Sequence, residues 1–401
     1  MLKAQEINWS KYCIDIEDVM TLSSLSLEII RNNFFDDNTF HINIPNRNQD
    51  IFIRRSYYGG HVDVYKPYGE NLYYYDVNSL YPFIMKSYPI PCAIPVWKKN
   101  LKSVGLDSLF GFIDACVVCP TNISCPFLPY KDQSELKFAR DLCYRVIPLR
   151  GYLFEKKSSP FEGCISNLYK SRLEAKKASD EAMTFIYKIL MNSLYGRLGM
   201  NPEITYISNN SLAEDDDWKP PKMSVVQLSA AITACARIHM YPYISRQDSY
   251  YTDTDSIVLG SSLPENNISS IELAPKSYML DIEDDRHIIK HKGPAKELLT
   301  SKWFKDILAD QSLRDQIPTI ANFRIDWKKL QIGRKVILIK LGLPQSTKRD
   351  MFYDSNNIWI DTRPIDVIDL GNQDANTILK YELFNKNKES VRDASRHFKN
   401  P

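Results

Sequence analysis

The chain has 401 residues, a hydrophobic content of 44% and a charged content of 25%, a composition typical of folded globular proteins with sequence for two or three domains. No apolar run approaches the roughly 18 residues that a membrane span needs. The first twenty residues carry neither the charge pattern of a secretory signal nor that of a transit peptide, so the sequence predicts a product that works where it is made.

The formal net charge is only +2, but the charges are unevenly distributed. Residues 286–350 contain fifteen Lys and Arg against six Asp and Glu. Such a stretch is either a solvated basic face or a surface for a polyanionic partner, and charge alone does not separate the two.

Eight cysteines are scattered without a regular framework, which in a chain of this size favours reduced thiols over a disulfide scaffold. The one cluster contains Cys116, Cys119 and Cys125, with Cys143 as a candidate fourth zinc ligand. No histidine lies near these residues in the sequence, and the spacing to Cys143 resembles no zinc module. We therefore favour a strand and turn with small buried thiols.

In chain order, the periodicity first predicts a helix over residues 23–35. Two extended, aromatic-rich segments are predicted at 50–67 and 71–85, joined by a turn at 67–71 (PYGEN). Residues 84–160 combine several prolines with alternating apolar positions and indicate a small β-containing insertion.

The next stretch changes character, because residues 161–177 and 181–200 both have helical periodicity. The Ala-Ser-Asp between them supplies a turn and a cap, so a helical hairpin is predicted. After an irregular stretch, residues 224–245 are predicted as one long helix rich in small residues. A strand pair around Asp253 follows, and beyond it strands and helices alternate.

The segment YYTDTDSIVL, residues 250–259, places Asp253 and Asp255 one residue apart between an aromatic pair and an apolar run. In an extended strand, alternation sends both carboxylates to one face. Two like charges against an apolar strand are costly, so a cation, a basic side chain or open solvent must compensate them.

A further carboxylate, Asp76, ends an aromatic strand where the chain turns. If it meets Asp253 and Asp255, the three carboxylates suit a hard cation such as Mg²⁺. Two such ions would activate an attacking oxygen and clamp a leaving phosphate. Each motif alone is weak evidence, because Asp-x-Asp at the end of a strand occurs in many proteins with a structural role.

Cationic groups are predicted on the helical hairpin. Lys188, Asn192 and Tyr195 are spaced four and three residues apart, so they share one helix face. That face offers a charge for phosphate, an amide and a ring on which a base or sugar could pack. Arg172 and Lys176 are spaced four apart on the preceding helix. Two amphipathic helices with solvated lysines are the alternative interpretation.

Together these motifs resemble those of family B DNA polymerases, in which D-x-x-S-L-Y-P is followed by K-x-x-x-N-S-x-Y-G and then Y-x-D-T-D-S. The corresponding stretches are DVNSLYP at 76–82, KILMNSLYG at 188–196 and YTDTDS at 251–256. YYGG at 57–60 and KSY at 276–278 are similar to the Y-x-G-G and K-x-Y elements of protein-primed members. That group includes polymerases of linear plasmids in fungal and plant mitochondria and of some bacteriophages.

The resemblance implies an α+β fold, the polymerase right hand, with a palm of antiparallel β-sheet packed by helices, a two-helix fingers hairpin, a β-containing insertion and a C-terminal thumb. The implied division of the chain is 1–50 as a linker remnant, 51–83 and 224–290 as the palm, 84–160 as an insertion, 161–199 as the fingers, 200–223 as a short second insertion and 291–401 as the thumb and C-terminal region. Because only 56 residues precede Tyr57, we expect no N-terminal exonuclease domain and no proofreading.

The resemblance also implies a role for each matching residue. Asp76, Asp253 and Asp255 would be catalytic and would hold two Mg²⁺ ions, with Asp253 as the weaker ligand. Tyr81 would exclude a 2′-hydroxyl. The residues implied to bind the incoming nucleotide are Val77, Leu80, Tyr81, Arg172, Lys176, Lys188, Asn192 and Tyr195. Those implied to hold template and primer, largely through backbone contacts that do not read sequence, are Tyr57, Gly59, Gly60, Ser193, Gly196, Lys276 and Tyr278.

The implied reaction is template-directed attack of a primer 3′-hydroxyl, or of a terminal-protein hydroxyl, on the α-phosphate of a deoxynucleotide. The implied partners are a DNA template and primer, dNTPs and, as a candidate, a terminal protein, with no membrane. Replication of a linear plasmid or organellar element in the mitochondrion follows from the resemblance alone.

Three other classes of function stay open at this point. The first is a truncated, non-catalytic remnant that still binds primed DNA, against which the intact Asp76, Asp253, Asp255 and Lys188 argue. The second is a scaffold that binds a terminal protein, to which residues 84–160 could contribute. The third is another two-metal palm enzyme, such as a primase or reverse transcriptase, but those enzymes lack the K-x-x-x-N-S-x-Y-G helix.

Overall fold

The computed structural model of the chain describes residues 5, 9–15, 19, 21–36, 40–118, 127, 143–201, 224–263, 268–274, 277–282, 286–291, 298–310, 313–320, 324–326, 331–333, 336–342, 349–356 and 359–364. These residues form two compact units. The first unit contains the described residues of Met1–Gly59, Asn78–Thr121 and Phe127–Met240, and the second contains those of Gly60–Val77 and Tyr241–Pro401.

The helices, in chain order, are α1 (Leu22–Asn33), α2 (Arg47–Arg54), α3 (Leu80–Ser87), α4 (Glu162–Lys177), α5 (Glu181–Leu198), α6 (Val226–Ile244) and α7 (Ser301–Ala309). The strands are β1 (Val62–Val64), β2 (Tyr68–Asp76), β3 (Ile90–Lys98), β4 (Gly111–Val118), β5 (Arg145–Lys157), β6 (Ser249–Asp253), β7 (Ser256–Leu259), β8 (Ile268–Ala274), β9 (Ser277–Ile282), β10 (Arg286–His291), β11 (Asp315–Ile320), β12 (Arg324–Asp326), β13 (Gln331–Gly333), β14 (Val336–Leu341), β15 (Arg349–Tyr353) and β16 (Trp359–Pro364).

The β-containing character predicted for residues 84–160 is confirmed. Strands β3, β5 and β4 form a three-stranded antiparallel sheet with β5 in the centre. One side of this sheet packs on a small apolar cluster that includes Leu101, Leu106 and Ile113. The sheet also contacts α2 through aromatic side chains, because the ring centroid of Tyr152 on β5 lies 5.4 Å from that of Phe52 on α2. The sheet is therefore anchored on α2.

The predicted helical hairpin is confirmed as α4 and α5. Asp180 caps α5, since its side chain accepts the backbone N–H of Met183, and Ser179 makes the turn with a φ of 55°. The two helices are in contact, and each buries apolar residues, among them Leu168 on α4 and Leu190 on α5.

The N-terminal helix, also predicted, packs on this hairpin. In α1 the hydroxyl of Ser26 donates to the carbonyl of Leu190 at 2.7 Å. Lys11, which precedes α1, donates to the hydroxyls of Ser171 on α4 at 3.2 Å and Tyr187 on α5 at 3.1 Å. The N-terminal segment therefore braces both helices of the hairpin.

The second unit is built on a seven-stranded antiparallel sheet in the order β1-β6-β7-β2-β8-β9-β10. The strand pair predicted around Asp253 is β6 and β7. The core on this sheet contains Val64, Leu72, Tyr251, Val258, Tyr278, Leu280 and Trp359. Trp359 belongs to β16, so the hairpin of β15 and β16 contributes to the core of the sheet.

A second cluster joins α7 to β9 and β14 through Phe304, Met279 and Leu341.

The extended segment predicted over residues 50–67 is wrong at its start. α2 begins with a capping box, in which the side chains of Asn46 and Gln49 each accept the other's backbone N–H. Within the helix, Arg54 pairs with Asp50 one turn earlier at 2.8 Å. The cap and this pair outweigh the strand preference of the Ile-Phe-Ile run.

Two predictions for residues 67–85 are also wrong. No turn lies at 67–71, because β2 begins at Tyr68 and Asn71, with a φ of 55°, forms an irregularity in its pairing with β8. Residues 80–85 belong to α3 instead of a strand. Pro82 is compatible with this helix because it occupies the first turn, where its missing N–H costs no hydrogen bond.

Across the described ranges, no helix is both long and apolar enough to cross a lipid bilayer.

Candidate active site

The predicted catalytic carboxylates lie on adjacent strands of the second unit. Asp76 is paired with Ser256 across β2 and β7, and Asp253 is paired with the same Ser256 across β6 and β7. Paired residues of antiparallel strands project to the same face, and neighbouring strands are about 4.8 Å apart. Asp76 and Asp253 therefore flank Ser256 at the same level of the sheet.

Asp255 does not join this group by strand alternation, contrary to the prediction for residues 250–259. Thr254 and Asp255 form the two-residue loop between β6 and β7. Thr254 has a φ of 63°, and the N–H of Asp255 donates to the carbonyl of Asp253 at 2.7 Å. A positive φ at a β-branched residue is costly and persists only where surrounding contacts enforce it.

Two backbone hydrogen bonds hold this loop from either side. The N–H of Thr254 donates to the carbonyl of His61 at 2.8 Å, and the N–H of Val77 donates to the carbonyl of Asp255 at 2.7 Å. Val77 directly follows Asp76, so the second bond ties Asp255 to the strand end that carries Asp76. The three acidic residues are thus brought together by backbone pairing.

Two tyrosines share the surroundings of these carboxylates. Burial raises the pKa of Tyr74, and the negative charges of Asp76 and Asp255 raise it further. Burial also raises the pKa of Tyr278, as do the neighbouring Tyr74 and the charges of Asp253 and Asp76. Since all three carboxylates act on this pair of hydrogen-bonded phenols, they occupy one electrostatic neighbourhood.

The residue types at this place fit a magnesium site, because Mg²⁺ prefers carboxylate oxygens. Within the parts of the chain that the structure describes, no three His, Cys, Asp or Glu side chains are grouped closely enough to hold a metal ion by themselves. Mg²⁺ commonly takes one or two carboxylates and completes its shell with water and substrate phosphates. The open arrangement of Asp76, Asp253 and Asp255 is compatible with that mode.

The predicted nucleotide-binding residues of the first unit lie on three helices. Lys188, Asn192 and Tyr195 follow one another along α5, where Lys188 is exposed and the other two are half-buried. Arg172 and Lys176 lie on α4. Arg172 donates to the hydroxyl of Ser79 at 3.3 Å, which fixes its guanidinium at the start of α3.

Two of the predicted residues are in direct contact. The ring centroid of Tyr81, on the first turn of α3, lies 4.1 Å from that of Tyr195 on α5, with an angle of 35° between the planes. Such a stacked pair restrains both rings. Leu80, beside Tyr81, is buried and positions the helix start instead of offering a side chain to a ligand.

Tyr57, predicted to hold DNA, supports the C-terminal end of α5. A Cβ on Gly199 would lie 2.7 Å from the Tyr57 hydroxyl and 2.9 Å from the Cβ of Ser229, so the three residues are closely packed. Burial raises the pKa of Tyr57, and the nearby Tyr195 contributes to the rise. Tyr57 thus packs against the segment that follows Tyr195.

The remaining predicted DNA-holding residues have different surroundings. Gly60 is enclosed, since a Cβ there would lie 2.4 Å from the Thr254 side chain, whereas Gly59 and Gly196 adjoin open space. Tyr278 is buried in the core of the sheet, which leaves only its backbone for DNA. Ser193 has a buried hydroxyl without a hydrogen-bond partner among the described residues.

Lys276, and the cysteines at 119 and 125 of the candidate zinc cluster, lie outside the described residues. Sequence reasoning missed the supporting roles of His61, Tyr74 and Thr254. The only signal for them was the glycine pair before His61, since glycine within an extended segment often marks a close backbone approach.

A family of known proteins, described as DNA polymerase type B, organellar and viral, matches residues 1–219 of the sequence. The match covers more than half of the chain and includes Asp76 and the helix of Lys188. The chain belongs to this family. The predicted resemblance to family B DNA polymerases is therefore confirmed.

Fungal and phage DNA polymerases are similar to this chain in sequence. A probable DNA polymerase of Podospora anserina is 29% identical over 89% of the chain and 37% of its own length. A probable DNA polymerase of Neurospora intermedia is 32% identical over 69% of the chain and 34% of its own length. The DNA polymerase of Bacillus phage Nf is 26% identical over 54% of the chain. The chain spans about a third of the length of the two fungal relatives.

Among solved structures, Phi29 DNA polymerase complexed with primer-template DNA and incoming nucleotide substrates matches with a TM-score of 0.63 at 19% identity. The match covers 85% of this chain and 70% of that one. Phi29 DNA polymerase in an orthorhombic crystal form gives a TM-score of 0.62. At such identities the likeness concerns the fold, and it confirms the predicted α+β right-hand class.

Proposed function

We propose that the chain is a DNA-directed DNA polymerase that extends a primer with deoxynucleotides on a DNA template. The observation that carries this proposal is the pairing of Asp76 and Asp253 with the same Ser256, together with the hydrogen bond from Val77 to Asp255. Nucleotidyl transfer needs carboxylates at one place, and here Asp76 and Asp253 come from strand ends and Asp255 from the loop between β6 and β7. Membership of the type B family supports the same activity.

In this proposal the carboxylates of Asp76, Asp253 and Asp255 bind the metal ions. Two Mg²⁺ ions bound by Asp76 and Asp255, with Asp253 as the weaker ligand, would supply charge neutralisation for the phosphates and activation of the 3′-hydroxyl. The loop of Thr254 fixes Asp255 before substrate arrives, because its backbone is bonded on both sides. Such preorganisation lowers the cost of aligning the attacking oxygen with the α-phosphate.

The helices of the first unit supply the proposed nucleotide contacts. Lys188, Arg172 and Lys176 carry the charges for the triphosphate, and backbone at 77–80 would contact it as well. Asn192 and Tyr195 would line the nascent base pair. Tyr81, stacked on Tyr195, would pack under the sugar, and its ring bulk would exclude a 2′-hydroxyl.

Template and primer would be held mainly through the backbone, so that base pairing alone sets the sequence of the product. The proposed contributors are Tyr57, Gly59, Gly60, Ser193, Gly196, Lys276 and Tyr278. The basic stretch of residues 286–350 would add phosphate contacts. In this proposal the palm comprises 51–83 and 224–290, the fingers 161–199, and the thumb and C-terminal region 291–401.

The biological setting is part of the proposal. The relatives from Podospora anserina and Neurospora intermedia are fungal proteins with the name probable DNA polymerase. A role in replicating a linear plasmid or organellar element in the mitochondrion, with a terminal-protein hydroxyl as the primer, agrees with the Y-x-G-G and K-x-Y elements of the sequence.

Primer extension tests the proposed function. Purified protein should extend a labelled primer on a DNA template with dNTPs when Mg²⁺ is present, and chelation of Mg²⁺ should stop the reaction. Binding of the same primed DNA is measured in parallel by anisotropy. Protein that binds primed DNA but extends no primer would establish the non-catalytic remnant instead.

A further inference from the structure

A buried arginine connects the hairpin of β15 and β16 to the edge strand of the seven-stranded sheet. Arg349, the first residue of β15, is only 6% exposed, so it is not part of a DNA-binding surface although it lies in the basic stretch. Its Nε donates to the hydroxyl of Thr362 at 2.7 Å, and its Nη2 donates to the Thr362 carbonyl at 3.3 Å. Both strands of the hairpin are thereby joined.

The same guanidinium reaches β1 and the residue that follows it. Its Nη1 lies 4.0 Å from a carboxylate oxygen of Asp63, and its Cζ lies 4.8 Å from the ring centroid of Tyr65. Thr362 completes the contact, since its hydroxyl donates to the carbonyl of Tyr65 at 2.8 Å. An arginine can serve several partners at once because its guanidinium is planar and has five donors.

The strand held in this way is the one that supports the acidic loop. β1 pairs with β6 so that Val62 is opposite Asp253 and Asp63 is opposite Thr252. The residue before β1, His61, accepts the N–H of Thr254, and the Tyr65 hydroxyl lies 3.0 Å from the His61 ring nitrogen Nε2. β1 is short and lies at the edge of the sheet, so strand pairing restrains it from one side only.

We propose that Arg349 is a positioning residue for the reaction, which clamps β1 and thereby holds the Asp253–Thr254–Asp255 loop in its costly backbone conformation. The inference rests on the proposed function for its catalytic consequence, but the mechanical coupling can be measured without catalysis. It assigns the hairpin of β15 and β16 a part in building the metal site. It also separates Arg349 from the cations that would bind DNA.

The test compares Arg349→Met and Arg349→Lys with Arg363→Met. Arg363 is a matched control, because it lies on the same hairpin but is exposed and pairs only with Asp350 and the ring of Phe352 among the contacts that the described residues show. Thr362→Val is a second test variant, which removes the hydroxyl bonds and keeps a side chain of similar size in case Arg349→Met does not fold.

The first readout is amide hydrogen exchange of the full chain without DNA or metal. In Arg349→Met and Thr362→Val, the Thr254 amide should exchange faster by at least about tenfold, while amides in the β9–β10 pair keep their rates. Arg363→Met should leave both regions unchanged. Unchanged exchange at Thr254, or equal acceleration at Thr254 and in β9–β10, would overturn the inference whether or not the protein is a polymerase.

The second readout is the Mg²⁺ dependence of primer extension. In Arg349→Met the Mg²⁺ concentration for half-maximal rate should rise by about tenfold, the usual scale for residues that orient metal ligands, with unchanged affinity for primed DNA. Arg349→Lys should recover part of the loss. A weaker affinity for DNA with normal Mg²⁺ dependence would make Arg349 a DNA-binding residue and overturn the inference. Absence of extension in the unmodified protein would contradict the proposed function, while the exchange result would still decide the coupling.

Discussion

The side chain of Thr254 fills the space that a Cβ on Gly60 would occupy, since its Oγ1 and Cγ2 both lie 2.4 Å from that position. Gly60 lies directly before His61, whose carbonyl accepts the Thr254 N–H. The second glycine of the YYGG stretch is therefore needed for close packing against the loop between Asp253 and Asp255. Gly60 and the acidic motif, distant in sequence, form one local structure.

Gly60→Ala should consequently lower the rate of primer extension by at least about tenfold, because the new methyl group must displace Thr254 and with it the neighbouring carboxylates. Steady-state extension kinetics, together with thermal unfolding, measure the effect. Gly105→Ala is the control, since a Cβ at Gly105 meets nothing within 4 Å and its φ of −62° suits alanine. Equal activity of the two variants would show that the loop tolerates the displacement.

Replacing Asp255 by asparagine should reduce extension on the order of 10³-fold, because a neutral amide neither attracts Mg²⁺ nor offsets its charge. Affinity for primed DNA should change little, since DNA is held by other groups. Single-turnover extension and anisotropy separate the two effects. Glu155→Gln, at an exposed position of β5, removes one negative charge elsewhere and should be active. Full activity of the Asp255→Asn protein would show that Asp255 is not part of the catalytic site.

Tyr81→Val should admit ribonucleotides, because removal of the ring opens the space that a 2′-hydroxyl needs. It also removes the stacking partner of Tyr195, so the KM for deoxynucleotides should rise as well. Tyr81→Phe retains the ring and should reject ribonucleotides like the unmodified protein. The measurement is the ratio of kcat/KM for dNTP and rNTP in each protein, and an unchanged ratio in Tyr81→Val would refute the exclusion by ring bulk.

Long helices with strong apolar periodicity could be predicted from the sequence, whereas the short helix α2 and the tight loop after Asp253 could not. The hairpin of α4 and α5 follows from its apolar spacing and from Asp180 as the cap, both of which are local properties. The segment around Asp253 is different, because alternation of Thr and Asp fits a continuous strand as well as two strands with a loop. Only the positive φ of Thr254 distinguishes them, and that conformation depends on contacts with His61.

The acidic residues of the candidate site could be predicted from the sequence, but the residues that hold them in position could not. Asp76 and Asp253 are recognisable because carboxylates at strand ends are chemically conspicuous. The sequence groups Arg349 with the other cations of the basic stretch, because it does not reveal that this guanidinium is buried against Tyr65. α2 is not predicted for a different reason, because the strand-favouring run Ile-Phe-Ile obscures the capping signal of Asn46 and Gln49.

Lys188→Gln should raise the KM for dNTP by about tenfold with a smaller effect on kcat, since a contact to the triphosphate that persists through the reaction acts mainly on binding. Lys170→Gln is the matched control on α4, because its position on the helix is turned away from those of Arg172 and Lys176. Titrations of dNTP in primer extension provide the comparison. A fall in affinity for primed DNA with normal KM would assign Lys188 to the DNA instead.

The end of the β6–β7 hairpin away from Thr254 is closed by Asp248, which receives two hydrogen bonds from Arg246, at 2.7 and 2.8 Å, and one from Ser261. The Arg246 hydrogen bonds are the largest cause that holds the pKa of Asp248 well below its usual value. A carboxyl whose pKa is lower in the folded chain stabilises it above the unfolded pKa of about 3.9 and loses that contribution as pH falls further.

Asp248→Asn should therefore lower the free energy of unfolding by about 1–2 kcal/mol near pH 7, and the difference from the unmodified protein should shrink below about pH 4. Chemical denaturation at several pH values measures it. Asp350→Asn is the control, because its pair with Arg363 is exposed, and exposed pairs contribute at most about 1 kcal/mol. A difference that grows as pH falls would mean that Asp248 is not stabilised as a carboxylate.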